Sequence, residues 1–138
     1  MEDLPRDKAS EVDWVSGAAL VARDTFIEKV GLLDDAYFMF CEDTDWCYRC
    51  WQAGFKVYYV PIFEIKHLIG RSTDKAPNRM IGRHHKSMLM FYKKHMVVKA
   101  NPLARPFLIA FATAALSLRA FPYFVKNKLD LLKRKLSR

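Results

Sequence analysis

Apolar and polar residues in the first third of the chain alternate in short runs that predict small elements. Residues 12–22 are rich in β-branched and small apolar residues. They predict a turn that leads into a buried strand, with Gly17 allowing a close approach of the backbone. Apolar residues then recur at helical spacing over residues 24–30, and Gly31 follows them. This pattern predicts a short helix that ends at that glycine.

The middle of the chain predicts a second helix and two extended runs. Residues 42–53 begin with carboxylates and are followed by Gly54, which is typical of a helix with an acidic first turn. Residues 55–60 are β-branched and aromatic, and Pro61 stops them. Residues 63–67 form a second extended run before a polar loop.

The last part of the chain is predicted to be helical. Residues 78–98 follow Pro77 and have helical spacing. The apolar run 107–118 has 12 residues, which is too short for a bilayer core that needs about 20. Pro122 separates it from a basic amphipathic helix that begins near Val125. The order of strand, helix, helix, strand, strand and helix predicts an α/β class with few strands.

Charge is distributed very unevenly along the 138 residues. Residues 1–48 carry 4 Lys or Arg against 12 Asp or Glu, whereas residues 99–138 carry 9 against 1. The net charge of +8 therefore comes from the later parts of the chain. An acidic front favours a cationic ligand, and a basic tail favours an anionic surface. Nucleic acid is not an expected partner, because the aromatic residues lie beside carboxylates and no reader motif is present.

The three cysteines, Cys41, Cys47 and Cys50, lie close together. No second Cys/His pair stands at zinc-finger spacing, so small buried thiols are favoured over a metal or redox site. Reduced thiols and the absence of an apolar leader in the first residues suit a cytoplasmic location.

The strongest candidate for a catalytic or binding site is the acidic cluster Glu42, Asp43 and Asp45, at the predicted start of the second helix. Carboxylates at a helix N-terminus are stabilised by its free N–H groups and by the helix dipole. Capping alone would explain such a cluster in a generic sequence. The residues around it favour a functional role.

An ordered series of short motifs surrounds this cluster. It resembles the C-terminal half of a family 2 glycosyltransferase, of the kind that includes bacterial rhamnosyltransferases. The resemblance runs from about Val12 to His95, and the order and spacing of the motifs are more specific than any one of them. The motifs are residues 12–23, 30–34, 37–45, Arg49, 53–57, 60–61 and His67.

The resemblance implies a partial GT-A fold, namely its acceptor-binding half. It also implies inverting transfer of a sugar from a nucleotide-sugar donor to a glycan or lipid-linked acceptor. Asp43 would be the general base, which fits a carboxylate kept ionised by a helix N-terminus, and Glu42 would orient it or hold acceptor hydroxyls.

Four further residues are implied on the acceptor side of this site. Trp14 would stack on a sugar ring, although packing in the core explains this residue equally well. Gly17 and Ala18 match the strand that lines the acceptor side, and Asp45 would anchor the loop.

The resemblance also implies sites for a divalent cation and a diphosphate. His67 follows Asp43 by 24 residues, where it could complete a Mn²⁺ or Mg²⁺ site or be merely structural. Arg71 and Ser72 could contact the diphosphate. Asp43-Thr44-Asp45 has the form of the family's metal motif, but it opens a helix in the acceptor half and is not assigned that role.

The nucleotide-binding half expected of the family does not precede Val12. The isolated chain is therefore expected to show little or no turnover, and the cation site is expected to be shared with an N-terminal half. Residues 1–98 are predicted to form the acceptor half and residues 99–138 a helical tail.

Two uses of the tail remain open from the sequence. Residues 103–138 could bind the anionic inner face of the cell membrane as a peripheral anchor, or they could pack on protein. The alternative to an enzyme is a non-catalytic membrane- or partner-binding remnant of a glycosyltransferase.

Overall fold

The computed structural model describes residues 7–67 and 77–136. In this part of the chain the residues form two units, 7–37 with 41–67, and 38–40 with 77–136. The elements are β1 (Ser10–Glu11), α1 (Asp24–Val30), α2 (Glu42–Gln52), β2 (Tyr58–Tyr59), α3 (Pro77–His95), a 3₁₀ helix (Val97–Lys99) and α4 (Arg105–Leu136).

The first unit is built on a small core between α1 and α2. Phe26 of α1 lies edge-on to Trp46 of α2, with ring centroids 5.0 Å apart, and edge-on to Phe55 at 5.6 Å. Such edge-to-face pairs add to the free energy gained by burying the rings. Cys47 and Cys50 are buried free thiols in this core, which confirms the prediction for these two cysteines.

Glycine residues end both helices of this unit, as predicted. Gly31 has φ 83° and ψ −177°, and its N–H donates to the carbonyl of Ile27 at 2.8 Å. Gly54 also has φ 83°. Residues other than glycine are strongly disfavoured at the φ and ψ values of Gly31.

Gly31→Ala should lower the free energy of unfolding of the first unit by about 1–3 kcal/mol. Because no atom lies within 4 Å of the added Cβ, the cost would come from the backbone alone. All three tryptophans lie in this unit, so the midpoint of thermal unfolding followed by tryptophan fluorescence reports the stability of the first unit.

Gly82→Ala is the matched control for this substitution. Gly82 lies inside α3, and a Cβ there meets nothing within 4 Å. It should stabilise α3 by up to about 1 kcal/mol, seen in the helical circular dichroism signal. Equal effects of the two substitutions would contradict the backbone explanation.

The predicted strands are present only in part. β1 and β2 pair antiparallel, Ser10 with Tyr59 and Glu11 with Tyr58. The ladder is two residues long on each side, and the N–H of Val12 extends it with a bond of 3.0 Å to Val57.

Residues 12–22 and 63–67 contain no strand, contrary to the prediction. In residues 20–22 the alternation is retained, since Leu20 and Ala22 pack against the core and Val21 is exposed. Within the described residues, however, no strand pairs with this segment. Local β-propensity does not supply the partner that a ladder requires. The described fold is therefore mostly helical with a small two-stranded sheet.

The second unit is a helical hairpin of α3 and α4. Asn127 donates to the side chain of Asn78 at 2.9 Å, and Arg119 contacts the sulfur of Met88 at 3.8 Å. These pairs run in opposite directions along the two helices, which makes the hairpin antiparallel. The structure thus groups α3 with the tail, whereas the sequence placed a domain boundary at residue 98.

Residues 38–40 also belong to this hairpin unit. Arg83 lies 3.8 Å above the ring of Phe38, and the Ser87 hydroxyl donates to the carbonyl of Met39 at 2.9 Å. The ring of Phe40 lies 4.9 Å from that of His84. Burial, with His85 and Arg119 nearby, lowers the pKa of His84.

The tail is one helix of 32 residues, not the two helices predicted. Pro122 lies inside α4 at an exposed position, so the helix continues with one donor lost. Arg105–Asp130 is long and apolar enough to cross a bilayer by length and composition alone, and 6% of its most apolar window is buried. The apolar run 107–118 was predicted to be too short for a bilayer, but the helix that contains it is long enough, so that prediction was wrong.

Candidate active site

Asp43 lies in the first turn of α2 and is held by the backbone of a distant turn. Its Oδ2 accepts the N–H of Gly17 at 2.8 Å. Its Oδ1 accepts the N–H of Thr44 at 2.7 Å and the Thr44 hydroxyl at 3.3 Å. A carboxylate has about four lone-pair sites, so among the described contacts one acceptor position remains on Oδ2. The close approach predicted for Gly17 is therefore made to Asp43.

The carboxylate faces a cleft in the first unit. The cleft has a volume of about 500 Å³, within the range of small-molecule sites. Its walls come from the turn and extended segment after Ser16, from the loop after α1, and from the start of α2. The lining residues are Gly17, Ala18, Ala19, Leu20, Leu33, Glu42, Asp43 and Trp46.

Glu42 lines the same cleft and carries an unusual buried polar atom. Its Oε2 is buried and has no hydrogen-bond partner within the described part of the chain. An unpaired buried acceptor costs roughly 1–3 kcal/mol. Because this oxygen has no exposed surface, a ligand hydroxyl could reach it only if the Glu42 side chain turned into the cleft.

Asp45 lies outside the cleft and is fully buried. It accepts a hydrogen bond from the Tyr37 hydroxyl at 3.2 Å and pairs with Arg49 Nε at 2.8 Å. Arg49 also donates to the carbonyls of Val30 and Leu32, each at 2.8 Å. With no exposed surface, Asp45 cannot contact an acceptor in this conformation. The grouping of Asp45 with the acceptor-binding residues is therefore corrected, while its bonds to Tyr37 and Arg49 agree with the predicted role as an anchor of the loop.

Burial and the Asp45 carboxylate affect the ionisation of Tyr37. Desolvation, followed by the charge and hydrogen bond of Asp45, raises the pKa of the Tyr37 hydroxyl. The phenol therefore stays protonated and keeps donating to Asp45.

The backbone that enters α2 is strained. Phe40 and Cys41 both have left-handed dihedrals, with φ of 70° and 65°. Each non-glycine residue in this region costs about 1–2 kcal/mol. Cys41 occupies the N-cap without a side-chain hydrogen bond to the helix, so side-chain capping at that position does not explain the acidic cluster.

Cys41 reports the electrostatics of this cluster. Burial raises the pKa of its half-buried thiol to about 11, and the charges of Asp43, Glu42 and Asp45 contribute in that order. Little thiolate is therefore present at neutral pH, although the residue is partly accessible.

The rate of Cys41 alkylation by iodoacetamide should rise with pH toward a midpoint near 11, because the thiolate is the reacting form. Glu42→Gln should lower this midpoint, while Asp35→Asn, which changes an exposed carboxylate outside this cluster, should not. Peptide mass spectrometry assigns the modified cysteine. A midpoint near the ordinary value of 9.0 in both variants and in the parent would contradict the arrangement.

The raised pKa of Cys41 also predicts that the folded state loses stability as the pH rises. The folded state retains the proton of Cys41 above pH 9.0, where the unfolded thiol ionises. The contribution of Cys41 to stability is therefore complete below pH 9.0 and is lost as the pH rises through about 11.

The other predicted site residues are placed as follows. Gly17, Ala18, Glu42 and Asp43 line one cleft. Trp14 is exposed and is not part of the cleft wall, and His67 is exposed in an irregular segment. Arg71 and Ser72 lie outside the described residues.

Sequence reasoning missed four apolar residues of the cleft: Ala19, Leu20, Leu33 and Trp46. Trp46 could have been found, since it follows Glu42 and Asp43 by one helical turn and so shares their face of α2. Its indole N–H donates to the carbonyl of Gly31 at 2.9 Å, which fixes the ring at the base of the cleft. Leu33 could not be identified, because its place depends on the Arg49 contacts to the loop.

The described residues do not form a complete site for a divalent cation by themselves. Among residues 7–67 and 77–136, no three His, Cys, Asp or Glu side chains are grouped as metal ligands. His67 would supply one imidazole at most. No catalytic step is therefore assigned to a metal here.

Comparison with curated proteins finds similarity to rhamnosyltransferases. An N-acetylglucosaminyl-diphospho-decaprenol L-rhamnosyltransferase of Mycobacterium tuberculosis is 39% identical over 80 residues, covering 58% of this chain and 26% of the relative. Rhamnosyltransferase WbbL of Escherichia coli K12 is 30% identical over 87 residues, which cover 63% of this chain and 33% of the relative. The dTDP-rhamnosyl transferase RfbF of Shigella flexneri is 26% identical over 129 residues, which cover 87% of this chain and 41% of the relative.

The extent of these matches has two consequences. The chain spans between about a quarter and two fifths of the length of these relatives. Because the Shigella match covers 87% of this chain, it includes part of α4. No family model and no solved structure matches the chain, so the GT-A arrangement stays a prediction. The resemblance of this chain to part of a rhamnosyltransferase-like glycosyltransferase is confirmed.

Proposed function

We propose that this chain forms the acceptor side of an inverting family 2 glycosyltransferase that acts in cell-envelope polysaccharide synthesis. The observation that supports this most directly is the Asp43 carboxylate in an open cleft, held by the Gly17 amide. The relatives are named as transferases of rhamnose, one from dTDP-rhamnose and one to a diphosphate-linked lipid carrier of N-acetylglucosamine. We therefore assign a nucleotide-sugar donor and a glycan or lipid-linked acceptor.

In the proposed reaction, Asp43 accepts the proton of the acceptor hydroxyl as its oxygen attacks the anomeric carbon of the donor. The new bond is between that oxygen and carbon, and the bond from carbon to the diphosphate breaks. The nucleoside diphosphate leaves with the bonding electrons, and the anomeric configuration inverts. General base catalysis of this kind contributes about 10²–10⁴-fold.

The neighbouring groups have distinct roles in this proposal. The Gly17 amide and Thr44 orient the carboxylate, while Glu42 lines the cleft beside it and would accept an acceptor hydroxyl once its side chain turned toward the ligand. Trp46, Leu33 and Leu20 give an apolar wall against which a sugar ring can lie. A Mn²⁺ or Mg²⁺ ion shared with another segment of the enzyme remains part of the proposal, and His67 would be its ligand from the described residues of this chain.

The experiment uses a chimera, because the chain covers only part of its relatives. Residues 12–136, which keep the hairpin of α3 and α4 whole, replace the matching segment of the Shigella flexneri relative, and the chimera is incubated with dTDP-rhamnose and a lipid-linked N-acetylglucosamine acceptor. Mass spectrometry should show the acceptor with one added deoxyhexose. The chain on its own is expected to give little or no product. A folded chimera that binds acceptor but forms no product would count against the proposal.

The alternative is a non-catalytic remnant that binds membrane or protein. The exposed apolar surface of α4 favours it over other non-enzymatic classes. It predicts that the chimera fails to transfer sugar while the chain still binds vesicles, and this outcome separates it from the enzymatic proposal. On either proposal the location is cytoplasmic, at the inner face of the membrane.

A further inference from the structure

One side of α4 carries an uninterrupted apolar stripe that the protein leaves exposed. Its members recur every three or four residues along the helix, and Phe111 and Leu118 are 74% and 75% exposed. At about 100° per residue they project within roughly 40° of one direction. The outer stripe consists of Phe107, Phe111, Ala114, Leu118, Phe121, Val125, Leu129, Leu132 and Leu136.

The opposite side of α4 faces α3. Asn127 bonds to Asn78, and Ala120, on the same side of the helix, is buried. At the other end, Arg105 donates to the carbonyls of Val98 and Ala100, at 2.9 and 3.2 Å. The hairpin contact therefore occupies the inner side of α4 and leaves the outer stripe uncovered.

Basic side chains flank the outer stripe on both sides. Lys126 and Lys133 project roughly 80–100° to one side of it, and Lys128 about 60° to the other. Arg119 lies at roughly 120°, where its guanidinium also reaches Met88 of α3. All four are exposed. Asp130, the one acidic residue of α4, points away from the stripe. This arrangement places cations beside an apolar surface, as in helices that lie at the interface of anionic membranes.

We propose that α4 lies in the plane of an anionic lipid bilayer, with the outer stripe in the acyl boundary and the flanking cations at the phosphate level. Length and composition alone would also permit a transmembrane helix. The hairpin argues against it, because α3 runs alongside α4 and would have to enter the bilayer too. α3 carries five Lys or Arg residues, each costly at the bilayer centre. They are Arg79, Arg83, Lys86, Lys93 and Lys94.

Charge also selects a bilayer over a second copy of the chain. Two copies packed through the outer stripe would bring the same cations together, and like charges beside an apolar seam oppose pairing. An anionic surface is complementary to the same cations, and each lysine near such a surface strengthens binding. The inference does not depend on the transferase proposal, since it rests on residues of the hairpin alone.

The first test is flotation of the full chain with vesicles of phosphatidylcholine, with and without phosphatidylglycerol. Binding should require the anionic lipid and weaken as salt is raised. Phe111→Ser with Leu118→Ser should abolish it. Lys126→Gln with Lys133→Gln should weaken it about 10- to 100-fold. Lys66→Gln, an exposed lysine of the first unit, should leave it unchanged.

The second test measures depth. Tryptophan is introduced at Phe111, Phe121 or Leu132, and quenching by lipids brominated at different depths is compared after subtracting the parent signal. An in-plane helix should give the same shallow depth at all three positions. A deep maximum at Phe121 with shallow quenching at Leu132 would show a spanning helix and overturn the proposal.

The proposal would also be overturned by binding to neutral vesicles that equals binding to anionic ones. A third outcome that overturns it is the absence of flotation together with a dimer, seen by light scattering, that the Phe111→Ser and Leu118→Ser variant dissociates. Circular dichroism of that variant checks that α4 remains helical, so loss of binding is not loss of folding.

Discussion

Asp43→Asn should reduce sugar transfer by the chimera about 10²–10⁴-fold, with the loss in kcat and little change in KM. The asparagine keeps the size of the side chain and an oxygen for the Gly17 amide, but it cannot accept the acceptor proton. Product formation under single-turnover conditions, followed by mass spectrometry, measures the chemical step.

Asp35→Asn is the matched control for this substitution. It makes the same chemical change at an exposed aspartate eight residues earlier, outside the cleft. Full activity of this variant shows that the chimera folds. Glu42→Gln should mainly raise KM, because it weakens an acceptor contact. If Asp43→Asn kept more than a tenth of the parent rate, Asp43 would not be the base.

Asp45→Ala should cause the largest loss of stability, about 3–5 kcal/mol in the free energy of unfolding. The substitution leaves the largely buried Arg49 without its anion and leaves the Tyr37 hydroxyl without its acceptor. The loop after α1 would also lose its hold, since Arg49 joins it to α2 through the carbonyls of Val30 and Leu32. Urea unfolding followed by tryptophan fluorescence measures the loss.

A second variant keeps this prediction testable if Asp45→Ala does not fold. Asp45→Asn removes the charge and retains an acceptor for Tyr37, so a smaller loss is expected. It should also lower the pKa of Tyr37, part of whose rise comes from Asp45 after the larger effect of burial. Absorbance titration of the phenol follows this change. A stability equal to that of Asp35→Asn would contradict the role of Asp45 as an anchor.

The helices were predictable because their signals are local. Gly31 and Gly54 mark the ends of α1 and α2, and Pro77 marks the start of α3. The strands were over-predicted in residues 12–22, since a ladder needs a partner that composition does not reveal. The tail was divided at Pro122, because an interior proline usually ends a helix. An exposed position lets α4 continue at the cost of one hydrogen bond.

The candidate site was predictable where the resemblance indicated that residues far apart in the sequence belong to one site. Gly17 and Asp43 are 26 residues apart, and no periodicity connects them. The resemblance assigned both to one site, and the structure places them in contact. It gave Asp45 the role of an anchor but still grouped it with the acceptor side, because the burial of this side chain depends on Tyr37 and Arg49. The residue type alone does not show whether a carboxylate within a motif faces a cleft or the protein interior.

The bond from the Gly17 amide to Asp43 has an implication for how this site can change during evolution. The donor belongs to the main chain, so every residue type except proline would retain it. A Cβ at position 17 would lie 3.6 Å from Asp43, at ordinary contact distance. An alanine at this position is therefore compatible with an intact base, and homologues that carry alanine in place of the glycine should not be discarded as inactive on that ground alone.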